Sequence, residues 1–209
     1  MTLWLKMFKQ FLVFIKKMSL ELIVGPMFAG KSSAILSIVR RHQTLGWPIA
    51  VITHSSDTRY SSSPVVISHD GISIPAMATS ELMTLREHTD ISNAKLIIIE
   101  EAQFFPDLID FVMYTVDARE KNVVVVGLDG TASRKPFGQI NQLLPHCDKI
   151  TKLTALCTEC NDGTPAIFSH AYSSSASAAS ASGVACVGGA DSYKPLCRKH
   201  FNLHNPHGL

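Results

Sequence analysis

Residues 20–32 read LELIVGPMFAGKS, and this stretch decides the fold. The apolar run Leu20–Val24 is typical of a buried strand, and the eight residues after it fit the phosphate-loop pattern G-x-x-x-x-G-K-[ST] in full. These eight are Gly25, Pro26, Met27, Phe28, Ala29, Gly30, Lys31 and Ser32. Ser32–Leu45 follows as a predicted helix, so the backbone N–H groups of the loop and of the helix N-terminus can converge on phosphate oxygens. Lys31 can reach the β- and γ-phosphates and Ser32 can ligate Mg²⁺. The stretch therefore predicts a nucleoside triphosphate site.

The remainder of the chain alternates between strand and helix patterns. Further strands are predicted at Pro48–His54, Leu96–Ile99 and Val123–Gly127, and further helices at Thr79–His88 and Asp107–Arg119. Unbroken β-branched runs are typical of parallel strands buried on both faces, and such strands are joined by right-handed crossovers. The sequence therefore predicts an α/β fold, a parallel sheet with helices on both faces.

The composition changes near Lys152, after which cysteines, glycines and a Ser/Ala tract predominate. This change predicts four parts of the chain: an N-terminal extension (1–18), a nucleotide-binding domain (19–152), a small cysteine-bearing domain (153–203) and a tail (204–209). The first part, MTLWLKMFKQFLVFIKKM, has three interpretations. It could be an organelle-targeting peptide, a membrane-surface helix, or a dispensable extension upstream of an internal start at Met18.

Composition and charge exclude several classes of protein. Of the 209 residues 46% are hydrophobic and 17% charged, which excludes a disordered chain and a coiled coil. No apolar run approaches the roughly 18 residues of a spanning helix, so we expect no integral membrane contact. The net charge is +2, but four lysines lie in residues 1–18, which leaves 15 basic and 17 acidic side chains in residues 19–209. Such a balance disfavours a nucleic-acid partner.

Two adjacent carboxylates, Glu100 and Glu101, follow the predicted strand Leu96–Ile99. Ligands of open α/β sheets bind at the C-terminal ends of the strands. In phosphate-loop proteins an acid at that position usually holds magnesium through water, and a neighbouring acid can accept a proton from the nucleophile. Because successive strand residues point to opposite faces, we expect the two carboxylates to have different roles.

Two close pairs of metal-binding side chains lie in the small domain, with 36 residues between Cys160 and Cys197. The pairs are Cys157 with Cys160 and Cys197 with His200. Four such ligands complete a tetrahedral, closed zinc site, so the metal is expected to be structural. A redox role for the first pair is the main alternative, and His204 or His207 could replace the fourth ligand. Because this cysteine pattern is a poor disulfide framework, it favours a reducing compartment.

The tract Tyr172–Gly183, YSSSASAASASG, cannot pack a core. It is interpreted either as a flap that excludes water from the reaction or as a tolerated insertion without a role. The two remaining cysteines, Cys147 and Cys186, are expected to be small buried hydrophobic residues.

Six motifs, in this order, resemble the type II thymidine kinases, the cytosolic zinc-containing kind. They are Gly25–Ser32 (GPMFAGKS), Asp57–Ser61 (DTRYS), Glu101–Phe105 (EAQFF), Leu128–Thr131 (LDGT) with Arg134–Gly138 (RKPFG), Leu153–Cys157 (LTALC) and Gly188–Tyr193 (GGADSY). The resemblance covers residues 19–201. It implies a phosphate-loop domain with a zinc-binding lasso domain at 153–203, a homotetramer in the cytoplasm, and transfer of the ATP γ-phosphate to the 5′-hydroxyl of thymidine in nucleotide salvage.

The resemblance also implies roles for individual residues. Glu101 matches the catalytic base that takes the proton from the 5′-hydroxyl. Residues implied for ATP and Mg²⁺ are Gly25–Ser32, Asp57, Thr58, Arg59, Glu100 and Gln103. Residues implied for the nucleoside are Met27, Phe104, Leu128, Ala132, Val184, Ala185, Cys186, Val187, Gly188 and Tyr193.

Three features depart from the family pattern. Glu100 stands where aspartate is usual, Ala132 stands where an aromatic residue is common, and the flap lacks a basic pair. They leave open a catalytically impaired, ATP-binding paralogue with a regulatory or scaffolding role. Another pyrimidine deoxynucleoside such as deoxyuridine could also be the acceptor, since one methyl group changes binding by only about 1–3 kcal/mol. A zinc-bearing nucleic-acid ATPase is disfavoured by the charge balance.

Overall fold

The computed structural model describes residues 18–56, 65–67, 72–173 and 191–206. Its strands are β1 Ser19–Val24, β2 Ile49–His54, β3 Val65–Ile67, β4 Ser73–Pro75, β5 Met77–Thr79, β6 Leu96–Ile99, β7 Asn122–Gly127, β8 Lys149–Lys152, β9 Ala155–Leu156, β10 Pro165–Ala166, β11 Phe168–Ala171 and β12 Tyr193–Leu196. Its α-helices are α1 Lys31–Gln43, α2 Thr89–Asn93, α3 Leu108–Met113 and α4 Arg198–His204. Segments of 3₁₀-helix lie at Leu82–Leu85, Ala102–Phe104 and Ile140–His146.

Six parallel strands form the central sheet in the order β5-β2-β6-β7-β1-β8. The middle strands are β-branched runs, and all four residues of β6 are buried. Ile99 at the end of β6 pairs with Ile52 on one side and Val125 on the other, so these strands end at one edge of the sheet. The predicted α/β architecture is confirmed.

Hydrophobic clusters cover both faces of the sheet. On one face Ile35 and Val39 of α1 pack with Ile98 of β6. On the other face Phe111 of α3 packs with Ile97. Because alternate residues of β6 enter the two clusters, the helices lie on both faces, as the unbroken apolar runs predict.

The predicted helix Thr79–His88 is wrong. Residues up to Thr79 belong to β5, which pairs with β2, and only the short 3₁₀ turn Leu82–Leu85 follows. The carboxylate of Asp107 accepts the N–H groups of Leu82 and Met83 at 3.1 and 2.7 Å. A side chain 25 residues away thus binds donors that a continuous helix would use.

The predicted helix Asp107–Arg119 is present but changes character. After α3 the chain continues as a π-helical turn over Tyr114–Ala118, in which the N–H of Arg119 donates to the carbonyl of Tyr114. The hydroxyl of Thr115 donates to the carbonyl of Phe111 at 2.6 Å, a competing bond that disturbs the regular helix.

The segment after β8 forms the small module that contains β9 to β12 and α4. Its core includes Ala166, Leu196 and Phe201, and Phe28 of the phosphate loop packs against it. Of the predicted extension only Met18 is described, and of the predicted flap only Tyr172 and Ser173. Within the described residues, none of the helices is long and apolar enough to cross a membrane.

Candidate active site

The phosphate loop joins the end of β1 to the start of α1. A Cβ added to Gly25 would lie 2.5 Å from the backbone oxygen of Leu153, so the loop passes too close to the small module for a side chain there. Phe28 and Gly30 both have left-handed φ values, 64° and 79°. This conformation is costly for phenylalanine, whose ring packs on the core of the small module. Gly30 caps α1 without a side-chain acceptor, which leaves the first N–H groups of the helix to an anion.

Lys31 and Ser32 continue the loop into α1. The ammonium of Lys31 donates to the carbonyls of Gly25 and Pro26 at 3.2 and 2.8 Å. The hydroxyl of Ser32 donates to Glu100 Oε1 at 3.0 Å. A hydroxyl and a carboxylate oxygen in contact are hard-oxygen donors of the kind that Mg²⁺ takes.

Glu100 and Glu101 lie just after β6 and contact different groups. Glu100 is 9% exposed, and its N–H donates to the carbonyl of Ile52 at 2.8 Å. Glu101 has left-handed φ and ψ of 50° and 38°, and a 3₁₀ turn begins after it. The two carboxylates have different partners, as predicted, but the cause differs from the predicted one. The backbone turns at Glu101, whereas the sequence analysis relied on the alternation of side chains along a strand.

Gln103 is buried beside Glu101. Its side-chain Nε2 donates to Glu101 Oε2 at 2.5 Å, and its Oε1 accepts the N–H of Leu128 at 2.9 Å. The sequence motif associates this residue with ATP, whereas in the structure both ends of its amide contact protein groups.

The residues predicted for the nucleoside come from several elements. Met27 lies in the phosphate loop, Phe104 in the turn after β6 and Leu128 directly after β7, which places all three at the C-terminal edge of the sheet. Tyr193 is buried at the start of β12, and Ala132 lies half-buried in the loop after β7. The predicted residues Asp57, Thr58, Arg59, Val184, Ala185, Cys186, Val187 and Gly188 lie outside the described residues.

Three further residues at this edge were given no role in the site by the sequence analysis. His54 and Phe137 flank Phe104, with ring centroids 5.6 and 5.3 Å from it. Ser169 of β11 accepts the N–H of Met27 at 2.9 Å. His54 could have been found, because it ends a predicted parallel strand. Nothing in the sequence indicates that Ser169 reaches the phosphate loop.

The small module brings the four predicted metal ligands together. The ligand atoms of Cys157, Cys160, Cys197 and His200 all lie within 4.8 Å of one another. The sulfurs of Cys160 and Cys197 are 3.8 Å apart, and the three sulfurs lie 3.3–3.5 Å from His200 Nδ1. Zinc with bonds of about 2.3 Å to sulfur and about 2.0–2.1 Å to nitrogen separates two sulfurs by about 3.8 Å and sulfur from nitrogen by about 3.5 Å. The cluster therefore fits a tetrahedral zinc ion.

The thiols of the first cysteine pair, Cys157 and Cys160, differ in acidity. Burial opposes ionisation of Cys157, but hydrogen bonds from the backbone of Cys197 and Cys160 and from the His200 ring lower its pKa to about 6. Burial raises the pKa of the Cys160 thiol to about 11. Zinc requires thiolates, so binding would release the proton of Cys160 near neutral pH.

The other candidate ligands take different positions. His204 Nε2 pairs with Glu159 Oε1 at 2.5 Å instead of joining the cluster, and His207 lies outside the described residues. Cys147 is half-buried against the sheet core, and its Sγ lies 3.3 Å from the carbonyl of Leu144. Cys186 is not among the described residues.

The family model and the relatives described here that match this chain all carry the name thymidine kinase. The sequence model of a family described as thymidine kinase matches residues 18–201. Thymidine kinase a of Arabidopsis thaliana is 38% identical over 186 residues, which cover 88% of this chain and 74% of the relative. Thymidine kinase of Raccoon poxvirus is 36% identical over 182 residues, 87% and 96% of the two chains. The cytosolic thymidine kinase of Homo sapiens is 37% identical over 179 residues, 86% and 71% of the two chains.

Proposed function

The chain belongs to the thymidine kinase family, and we propose that it transfers the γ-phosphate of ATP to the 5′-hydroxyl of thymidine. The strongest support is the family match over residues 18–201, which includes the whole phosphate loop Gly25–Ser32. Four of the six motifs lie, wholly or in large part, where β1, β6, β7 and β8 end. The family match and the intact loop argue against the impaired paralogue.

The phosphate loop supports the assignment of ATP as donor. Backbone N–H groups of the loop and of the start of α1 would bind the phosphates, and Lys31 would exchange its two carbonyl contacts for phosphate oxygens. Ser32 and Glu100, whose oxygens are 3.0 Å apart, would hold Mg²⁺ directly or through water. Bound Mg²⁺ would neutralise charge that develops on the phosphoryl group.

Glu101 is the proposed general base. Its carboxylate takes the proton of the thymidine 5′-hydroxyl, whose oxygen forms a bond to the γ-phosphorus. The bond from that phosphorus to the β–γ bridging oxygen breaks, and the electron pair leaves with ADP. The products are ADP and thymidine 5′-phosphate. The protein contributes positioning and charge stabilisation, since little covalent chemistry is needed.

The remaining site residues are proposed from the same family pattern. Met27, Phe104, Leu128 and Tyr193 would surround the thymine, with Ala132 nearby and the backbone of 184–188 contacting the base. Asp57, Thr58 and Arg59 would contribute to nucleotide handling. Deoxyuridine remains a second candidate acceptor, because the pocket must discriminate a single methyl group.

The four-ligand cluster supports a structural zinc ion. Three cysteines and one histidine close the coordination sphere and leave no position for substrate. When bound, zinc would hold β9, β12 and α4 together. We further expect a homotetramer in the cytoplasm, in line with the family resemblance and with the cytosolic human relative. Targeting through residues 1–18 would instead direct the protein to an organelle.

A coupled ADP-release assay tests this function. The purified chain is supplied with Mg-ATP and, in turn, thymidine, deoxyuridine, deoxycytidine or deoxyguanosine. We expect turnover with thymidine, and a loss of roughly 10²–10⁴-fold in kcat for Glu101→Gln, since this variant removes the base. Glu81→Gln, a change at an exposed glutamate, is the matched control and should retain full activity. Absence of turnover with every nucleoside would refute the proposal.

A further inference from the structure

We infer that Gln103 is a positioning residue: its side-chain amide holds the carboxylate of Glu101 for proton transfer and ties it to the end of β7. This inference rests on the proposed function, because it takes Glu101 as the base. In this inference Gln103 acts through Glu101, whereas the family resemblance implies a direct contact of Gln103 with ATP.

Both ends of the Gln103 amide have a protein partner. The residue is 2% exposed, its Nε2 lies 2.5 Å from Glu101 Oε2, and its Oε1 lies 2.9 Å from the nitrogen of Leu128. The N–H of Leu128 can only donate, so it must face Oε1, and this leaves Nε2 for the carboxylate. A flipped amide would lose both hydrogen bonds and set two oxygens against each other.

Two glycines, Gly127 and Gly138, leave room for Gln103 in the surrounding backbone. A Cβ on Gly127 would collide with Gln103 Oε1, and a Cβ on Gly138 would collide with the backbone oxygen of Gln103. Gly138 also has a left-handed φ of 56°. Two glycines from different segments therefore permit the close packing that fixes the amide.

A fixed partner matters because Glu101 lies at a turn. Its left-handed conformation places it after the end of β6, at the start of the 3₁₀ turn that contains Gln103. The Gln103 amide donates a hydrogen bond to Glu101 Oε2 and carries no titratable proton of its own. It can therefore orient the base without competing for the proton that the base must accept.

The same amide joins two parts of the proposed site. Leu128 belongs to the predicted nucleoside pocket, and its N–H depends on Gln103 Oε1. The two functions can be separated by substitution. Gln103→Glu keeps an acceptor for Leu128 but replaces the donor to Glu101, whereas Gln103→Met has a similar length and removes both hydrogen bonds.

The test is the separation of kcat from KM for thymidine, measured at one pH in the wild type and in both variants. In Gln103→Glu a second carboxylate faces Glu101 in place of the amide donor, so the base loses this hydrogen bond and we expect kcat to fall roughly 10–100-fold. KM should stay within about threefold of the wild-type value, because the acceptor for Leu128 is kept. For Gln103→Met we expect a similar loss of kcat, because the hydrogen bond to the base is removed there too.

Gln139 supplies the matched control. Its Oε1 accepts the N–H of Ile109 at 3.0 Å and its Nε2 donates to the carbonyl of Pro106 at 2.5 Å, so it too bridges two groups but does not touch Glu101. Gln139→Glu should keep both kcat and KM within about threefold of the wild-type values. If Gln103→Glu does not fold, Gln103→Met compared with Gln139→Met tests the same claim.

The outcomes distinguish a failure of the inference about Gln103 from a failure of the proposed function. If the wild type is active and Glu101→Gln loses kcat as expected, yet Gln103→Glu loses no more kcat than Gln139→Glu, the inference alone is wrong. If Gln103→Met loses no more kcat than Gln139→Met, it is wrong as well. If the wild type does not phosphorylate thymidine, or Glu101→Gln retains full kcat, the proposed function fails and the inference falls with it.

Discussion

At the scale of single residues, Glu100 and Glu101 contact different groups because the backbone turns between them. Glu100 follows the direction of β6 and meets Ser32 of α1, whereas the left-handed Glu101 meets Gln103. Adjacent acids can therefore serve a metal and a proton separately. The side chain of Glu100, where the resemblance leads us to expect aspartate, reaches the Ser32 hydroxyl.

We predict that Glu100 sets the magnesium requirement. In Glu100→Gln the side chain keeps its length but loses its charge, so the Mg²⁺ concentration for half-maximal rate should rise about tenfold or more, with less effect at saturating Mg²⁺. Glu100→Asp should retain most of the affinity. Titration of the initial rate with Mg²⁺ at fixed ATP measures the effect, with Glu81→Gln as the control. An unchanged half-maximal concentration in Glu100→Gln would contradict the assignment.

For single residues, the sequence predicts local positions but not contacts between residues that are far apart in the chain. The phosphate-loop pattern fixes the positions of Lys31 and Ser32, because its spacing reflects local backbone geometry. The contact of Gln103 with Leu128 joins residues 25 positions apart, and that of Met27 with Ser169 joins residues 142 apart. No local pattern encodes such contacts, since each depends on how the elements pack.

At the scale of elements, the helices and strands that were predicted correctly are those that local sequence patterns determine, and the errors lie where contacts between distant residues decide the structure. β6 and β7 are buried on both faces, and their β-branched runs are visible in the sequence. The segment after Thr79 has helical periodicity, but Asp107 binds its N–H groups and β2 pairs with β5. Tertiary contacts override local propensity there.

The phosphate loop and the small module form one packed unit. Phe28 packs on the module core, Met27 donates to Ser169, and Arg134 from the loop after β7 lies 5.7 and 5.1 Å over the rings of Phe168 and Phe201. Any change in the module should therefore reach the loop that is proposed to bind ATP.

We predict that zinc removal loosens the phosphate loop. Three of the four predicted ligands flank the module core or belong to it, so chelation should release the packing surface of Phe28. Amide hydrogen exchange of residues 27–30 should accelerate about tenfold or more in the chelated protein. β6 and β7 provide the internal control, because both lie in the sheet core and should stay protected. Unchanged exchange in the loop after zinc loss would show that the module does not support it.

At the scale of the whole molecule, one edge of the sheet collects the proposed chemistry. β1 leads into the phosphate loop, β6 into the two acids and β7 into Leu128, while the small module covers the phosphate loop from the side of Leu153. Parallel strands make this possible, because their C-terminal ends share an edge. The fold class and this edge were predictable from sequence, whereas the contacts between the sheet domain and the module were not.

The central claim is phosphoryl transfer to thymidine, and isotope transfer tests it most directly. ATP labelled with ¹⁸O at the three non-bridging oxygens of its γ-phosphate is incubated with the chain, Mg²⁺ and thymidine, and the products are identified by mass spectrometry. We predict thymidine 5′-phosphate that carries all three labelled oxygens, formed in step with ADP and roughly 10²–10⁴-fold more slowly with Glu101→Gln. Labelled inorganic phosphate without labelled thymidine 5′-phosphate, or no ATP turnover at all, would contradict the account.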